Sequence, residues 1–126
     1  AGKQLPSEEE WEKAARGTEG WAYPWGDFPP TPDYCNFNNL ESGPTPVGQY
    51  SPKGDSPYGC VDMSGNVSEW VLSETSRIGR ILRGGSYQSN AKQVSATARF
   101  SSTLSYAPDI RYDDVGFRCV TILRET

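Results

Sequence analysis

Proline density between Gly20 and Pro57 is the feature that most restricts what this chain can become. The segment carries Tyr23-Pro24-Trp25-Gly26-Asp27, Pro29-Pro30-Thr31-Pro32 and Pro44-Thr45-Pro46-Val47-Gly48. Each proline removes a backbone donor and biases the residue before it toward extended geometry, so neither an interior helix nor a central strand fits here. Trp21, Tyr23, Trp25 and Tyr34 are too many aromatics for a flexible linker and predict a loop pinned by rings packed inward. The rest of the chain continues the pattern: 13 Gly and 10 Pro in 126 residues, with an apolar fraction of 35%, predict one α+β domain of short elements held by turns. They argue against a helix bundle or a doubly wound sheet.

Charge narrows the partners. The 12 basic and 16 acidic residues are interspersed and sum to −4, with no basic stripe to neutralise phosphates, so nucleic acid is excluded as the expected partner. No apolar run reaches membrane-spanning length, and the first residues lack the basic start and apolar stretch of a signal peptide. Membrane insertion is therefore not expected, and the compartment stays unknown. The chain has no His, and its three Cys, Cys35, Cys60 and Cys119, lack CxxC spacing. That argues against a thiolate–imidazole zinc site and against any mechanism needing a histidine base. At most one disulfide can form within the chain, and each Cys is equally compatible with burial as a small apolar side chain.

Leu5-Pro6-Ser7-Glu8-Glu9-Glu10-Trp11 is a helix start. Ser7 is suited to accept from the N–H three residues on while Glu10 reaches back, and the acidic first turn suits the positive end of the helix dipole. Trp11, Ala14 and Ala15 then share a face and Gly17 stops the helix, after about three turns. Further on, Gly59 to Val71 holds Asp62, Gly65, Val67 and Glu69 around Ser64-Gly65-Asn66, which forces a tight turn. Two carboxylates and the carbonyls freed at such a turn are the oxygen ligands that a hard cation such as calcium takes. The alternative is that Asp62 and Glu69 only accept from the turn's N–H groups. Ile81-Leu82, Val94 to Ala98 and Val115 to Leu123 read as short strands, the last with Val115, Phe117 and Cys119 on one side.

Between Arg83-Gly84-Gly85-Ser86 and Val115-Gly116-Phe117-Arg118-Cys119-Val120, two motifs that read as rigid backbone, lies a stretch with no regular period. Tyr87, Gln88, Ser89, Asn90, Phe100, Ser101, Ser102, Ser105, Tyr106, Ile110, Tyr112 and Asp113 mix aromatic with small polar residues. Tyr gives contact area at little conformational cost and Ser and Asn give adaptable hydrogen bonds, the composition of a recognition surface for a protein or other macromolecular ligand. A polar loop between two strands has the same composition.

Taken in order, Leu5-Pro6-Ser7-Glu8-Glu9-Glu10-Trp11-Glu12, Tyr23-Pro24-Trp25-Gly26, Thr45-Pro46-Val47-Gly48, Asp62-Met63-Ser64-Gly65-Asn66-Val67-Ser68-Glu69-Trp70, Arg83-Gly84-Gly85-Ser86 and Val115-Gly116-Phe117-Arg118 resemble the formylglycine-generating enzyme, or sulfatase-modifying factor, family. The resemblance implies a C-type-lectin-like fold over residues 1–126, loop-rich, with few short strands and one N-terminal helix. A strand and a helix that normally precede this starting point in the family have no counterpart, which leaves room for self-association or for a partner that supplies them. It also implies one structural calcium, held by the Asp62 and Glu69 side chains and the Gly65 and Val67 carbonyls. The enzyme's pair of copper-binding thiols matches Ala91 and Ala96, so no copper and no catalysis are expected; an alanine has no lone pair for Cu(I). The iron-dependent relatives need histidines that this chain lacks. In its Gly84-Gly85-Ser86-Tyr87 start and Gly116-Phe117-Arg118 close, the chain is similar to another branch, the variable proteins of diversity-generating retroelements. That likeness implies a non-catalytic domain displaying a variable ligand surface between Tyr87 and Asp114, with surface display or phage association as its setting. A sulfatase-modifying-factor-like enzyme or accessory of altered activity is the other reading.

Overall fold

The computed structural model describes residues 2–73, 81–101 and 112–121. Its elements run β1 (Lys3–Gln4), α1 (Glu8–Arg16), β2 (Ser68–Val71), β3 (Ile81–Arg83), β4 (Arg99–Ser101), β5 (Val115–Gly116) and β6 (Val120–Thr121). Helix α1 forms where the capping signal predicts it. Ser7 Oγ accepts from Glu10 N–H at 3.1 Å and Ser7 N–H donates to Glu10 Oε1 at 2.8 Å. Gly17 closes the helix with φ 66°, and its N–H donates to the Lys13 carbonyl. A Cβ there would lie 2.7 Å from Pro57 Cγ, so the stop is also a packing point. Trp11 and Ala15 are buried, with Ala14 packed beside them. The helix spans nine residues, somewhat shorter than expected.

The long loop from Gly20 to Pro57 contains no strand or helix, as the prolines require. Tyr23 stacks on Trp25 at 5.2 Å and Trp25 on Tyr34 at 4.9 Å, a pile of half-buried rings rather than a deep core. Trp21 does not join the stack; it is half-buried, and its carbonyl accepts from Arg16 Nε–H. Below the stack, Cys35, Phe37 and Val94 form one buried cluster. Trp11, Ala15, Met63, Val71, Ile81 and Ala96 form the other, under α1.

Four strands pair in the order β4-β3-β2-β5, antiparallel except for β2 with β5. The register sets Glu69 opposite Arg83, Val71 opposite Ile81 and Arg83 opposite Arg99; Leu82 lies between Trp70 and Phe100. With a side-chain period of two, Glu69, Val71, Ile81 and Arg83 face α1, and Ser68, Trp70, Leu82 and Phe100 face away.

Two strand expectations are corrected. Val94 to Ala98 is a run of turns, because its backbone groups bond elsewhere: Ala96 N–H donates to the Ala22 carbonyl at 2.7 Å and the Ala96 carbonyl accepts from Arg83 Nη2. The strand begins only at Arg99. The closing strand is split, with β5 pairing β2 and β6 pairing β1 in a second, two-stranded sheet. Its break falls where Arg118 turns its side chain to Glu69, and Phe117 and Cys119 are exposed rather than packed on one inner face. Residues 122 and 123 lie outside the described residues.

Candidate functional site

Strand alternation carries Glu69 to the α1 side, where burial of a carboxylate demands partners. It accepts three hydrogen bonds from two residues: Trp11 Nε1–H donates to Oε1 at 3.0 Å, Arg118 Nε–H donates to Oε1 at 2.6 Å, and Arg118 Nη2–H donates to Oε2 at 2.8 Å. Arg118 Nη2 also donates to the carbonyls of Val61 at 2.8 Å and Asp62 at 3.2 Å. Burial alone would weaken the Arg118 cation, but the Glu69 hydrogen bond and charge outweigh it and raise its pKa. Asp62, in a left-handed conformation with φ 54°, accepts from Gly48 N–H at 2.8 Å through Oδ2. Asp62 and Glu69 therefore do not bond the N–H groups of their own turn.

Asp62, Val67, Glu69 and Arg118 line one cavity of about 220 Å³ together with Val47, Val61, Asn66 and Phe117. A carboxylate offers about four lone-pair sites. Glu69 keeps one on Oε2, and Asp62 keeps the oxygen that Gly48 does not engage. With the main-chain carbonyl of Val67, which lines the same cavity, this donor set fits a single hard cation in chemistry, although a guanidinium already sits on Glu69 and Gly65 is not among the lining residues. Among the described residues, no group of three or more His, Cys, Asp or Glu side chains could hold a metal, so any such site leans on carbonyls.

The turn between these carboxylates is locked from behind. Asn66 Oδ1 accepts from Thr45 N–H at 2.8 Å and from Asn36 Nδ2 at 3.3 Å, and Asn66 N–H donates to the Asn36 carbonyl at 2.9 Å. Gly65 has φ 75°, and a Cβ on it would lie 2.3 Å from the Asn36 oxygen. Gly84 approaches the same turn from the other side: Gly65 N–H donates to its carbonyl at 2.7 Å.

On the sheet face away from α1 lies a cavity of about 370 Å³ whose described lining includes Ser68, Leu82, Ser86, Gln88, Ser89, Gln93, Arg99, Phe100 and Asp114. Of the residues assigned to a ligand surface, Gln88, Ser89 and Phe100 meet here. Gln88 is exposed, Ser89 is half-buried, and Phe100 is 47% exposed. Asn90 is exposed but turns to Gln93, exchanging two hydrogen bonds of 2.9 Å with it. Tyr87 is placed differently: it is 6% exposed, and its hydroxyl donates to Asp113 Oδ2 at 3.0 Å and accepts from Gln88 Nε2 at 3.1 Å. Its ring is a brace that ties the two ends of the segment together. Tyr112 is half-buried and Asp113 exposed. Ser102, Ser105, Tyr106 and Ile110 lie outside the described residues, as does the Ser101 side chain.

In the sequence Arg83 and Arg118 stand only as parts of rigid motifs, yet in the fold both organise the molecule. Arg83 is nearly sealed from solvent, pairs with Glu8 and Glu12, donates to the Ala96 carbonyl and lies 5.1 Å above the Trp11 ring. Glu8 also holds Arg99, at 2.7 Å. The available signal was an arginine between apolar neighbours, in Ile81-Leu82-Arg83 and Phe117-Arg118-Cys119, which must find an acid when its strand is buried. At the positions matching the enzyme's thiols, Ala96 is fully buried in the core and the Ala91 carbonyl accepts from Tyr23 Oη at 3.1 Å. Cys35 is buried, and desolvation, helped by the Asp62 charge, pushes its thiol from 9.0 up to about 12.

Among the described residues, one capped helix, two small sheets and a turn-rich loop define a C-type-lectin-like domain of the formylglycine-generating-enzyme type. The chain belongs to the sulfatase-modifying factor enzyme 1-like domain family, whose pattern matches residues 1–123. It is 37% identical over 135 residues to the inactive C-alpha-formylglycine-generating enzyme 2 of Bos taurus, covering 95% of this chain and 44% of that protein. It is 34% identical over 150 residues to the formylglycine-generating enzyme of Streptomyces coelicolor, covering 94% and 46%. Its fold is similar to that of Treponema denticola variable protein 1, with a TM-score of 0.76 and 28% identity over 93% of this chain and 46% of the other. The chain thus spans less than half the length of these relatives. No described helix is long and apolar enough to cross a membrane.

Proposed function

We propose that this domain is a non-catalytic, ligand-binding module of the retroelement variable-protein type. The observation that carries the reading is the cavity on the sheet face away from α1. There Gln88, Ser89 and Phe100 line the cavity with Leu82 and Gly85, beside the Tyr87 to Asp113 brace. A rigid support lowers the ordering cost of binding and leaves the partner, a protein or other macromolecule, to be chosen by side chains. The other expected ligand residues, Ser101, Ser102, Ser105, Tyr106, Ile110 and Tyr112, belong to the same proposal. Likeness to a variable protein and to an inactive relative supports the reading, as does alanine at both thiol positions. The test is incubation with Cu(I), oxygen and a Cys-containing sulfatase-type peptide: no formylglycine is expected. Turnover would instead establish the enzyme reading, which the 34% identity to a formylglycine-generating enzyme favours.

The same proposal includes one structural calcium, held by the Asp62 and Glu69 side chains and the Gly65 and Val67 carbonyls. When bound, it would supply a cross-link across the turn that supports the display face. A ligand present at a hundredfold excess over its Kd stabilises the folded state by about 2.7 kcal/mol. The melting temperature should therefore rise with calcium and fall with a chelator; an unchanged melt removes calcium from the proposal.

A further inference from the structure

We propose that Arg118 is a built-in competitor for that cation, an internal charge that closes the Asp62 to Glu69 turn without metal and keeps metal affinity low. The inference rests on the calcium reading and goes beyond it. Arg118 takes the kind of oxygens a hard cation would take: two main-chain carbonyls, of Val61 and Asp62, and both oxygens of Glu69. It does so from inside the same cavity that Asp62 and Glu69 line. Two carboxylates and one guanidinium leave a net charge of −1 there, where the acids alone would give −2.

Affinity for a divalent cation follows the charge of its ligands, so the guanidinium weakens metal binding while doing part of the metal's structural work. It is tethered by the link between β5 and β6, whose strands pair in different sheets, and so it needs no ion from solution to hold that link against β2. Trp11 donates to the remaining side of Glu69 Oε1, which keeps the carboxylate oriented when Arg118 is withdrawn. The fold is thereby made tolerant of low calcium, with the metal as an additional brace where calcium is abundant.

The test uses terbium(III) as the probe, because the Trp11 indole, hydrogen-bonded to Glu69, is positioned to sensitise its luminescence, and calcium is then used to displace it. Relative to wild type, Arg118→Gln should bind terbium and calcium more tightly, on the order of tenfold, because the net charge of the ligand set becomes more negative. Arg118→Lys, which keeps the charge and loses the fork, should stay close to wild type. If Arg118→Gln folds only when calcium is added, the proposal is equally supported. Should Arg118→Gln be unfolded under all conditions, the Arg118 Nε–H resonance of the wild-type protein decides. A shift on calcium addition supports competition, and no shift at saturation overturns it. Equal or weaker metal binding by Arg118→Gln overturns the inference while leaving the calcium site standing. Absence of a metal response in all three proteins overturns both.

Discussion

On the sheet face turned to α1, Glu69 and Arg83 are charged and buried, yet each has its partners: Arg118 and Trp11 for Glu69, and Glu8, Glu12 and the Ala96 carbonyl for Arg83. On the opposite face, Ser68, Leu82 and Phe100 border an open cavity together with Gln88 and Ser89. One face is over-determined, since moving any charge strands another in a medium that penalises it. The other is held at its margins by the close approach of Gly85 to Gln93 and Val94 and by the hydroxyl of Tyr87 on Asp113. The difference teaches where this chain can change without unfolding. Substitution is costly wherever main chain is already in contact with main chain or where a buried charge loses its partner. It is cheap where a side chain stands on a strand edge.

The hardest test of the frame is Gly65→Ala. The added Cβ would meet the Asn36 carbonyl at 2.3 Å, and the residue already has φ 75°. Neither backbone can yield, because Asn36 and Asn66 are tied to each other and to Thr45. A loss of roughly 3 kcal/mol or more is expected, read as a lower urea midpoint at unchanged slope. A loss below about 1 kcal/mol would mean the turn is softer than the frame requires.

Much of that frame was legible beforehand. Ser7 and Glu10 announced the capping box, and the prolines announced the loop. Ser64-Gly65-Asn66 announced the turn, and motif order announced the family. What could not be read was long-range pairing. Nothing local says that Arg118 reaches Glu69, 49 residues away, or that Tyr87 finds Asp113 and becomes a brace instead of a contact. Val94 to Ala98 looked like a strand because Val94 and Ala96 alternate with polar residues. Their backbone groups, however, are spent on Ala22, Asn90 and Arg83. Periodicity reports which side chains are buried, and here it reported a buried turn.

A middle-sized effect separates the buried cluster from the surface through pH. The folded state raises the Cys35 thiol from 9.0 to about 12, first by desolvation and then by the Asp62 charge. A group whose pKa is higher in the folded state contributes stability that is complete below its unfolded value and is lost as pH rises toward the folded one. The stability of wild type relative to Cys35→Ala should therefore be constant up to pH 9.0 and decline between there and about 12. Native-state alkylation at pH 8 should label the exposed Cys119 and spare Cys35. Labelling of both at similar rates would show that the cluster under the ring stack opens readily.

The smallest expected effect tests the open face. Phe100 is 47% exposed on β4, opposite Leu82, and borders the cavity. Phe100→Ala removes a cross-strand neighbour and some partly covered apolar area, which costs less than about 1 kcal/mol at a position of this kind. Its urea midpoint should stay close to wild type, far above that of Gly65→Ala. A Phe100→Ala midpoint as low as that of Gly65→Ala would make the ring part of the core, and the two faces would then no longer differ in kind. A small loss, by contrast, leaves the side chain free to be exchanged without touching the fold, which is the property a display surface needs and a packed enzyme centre does not have.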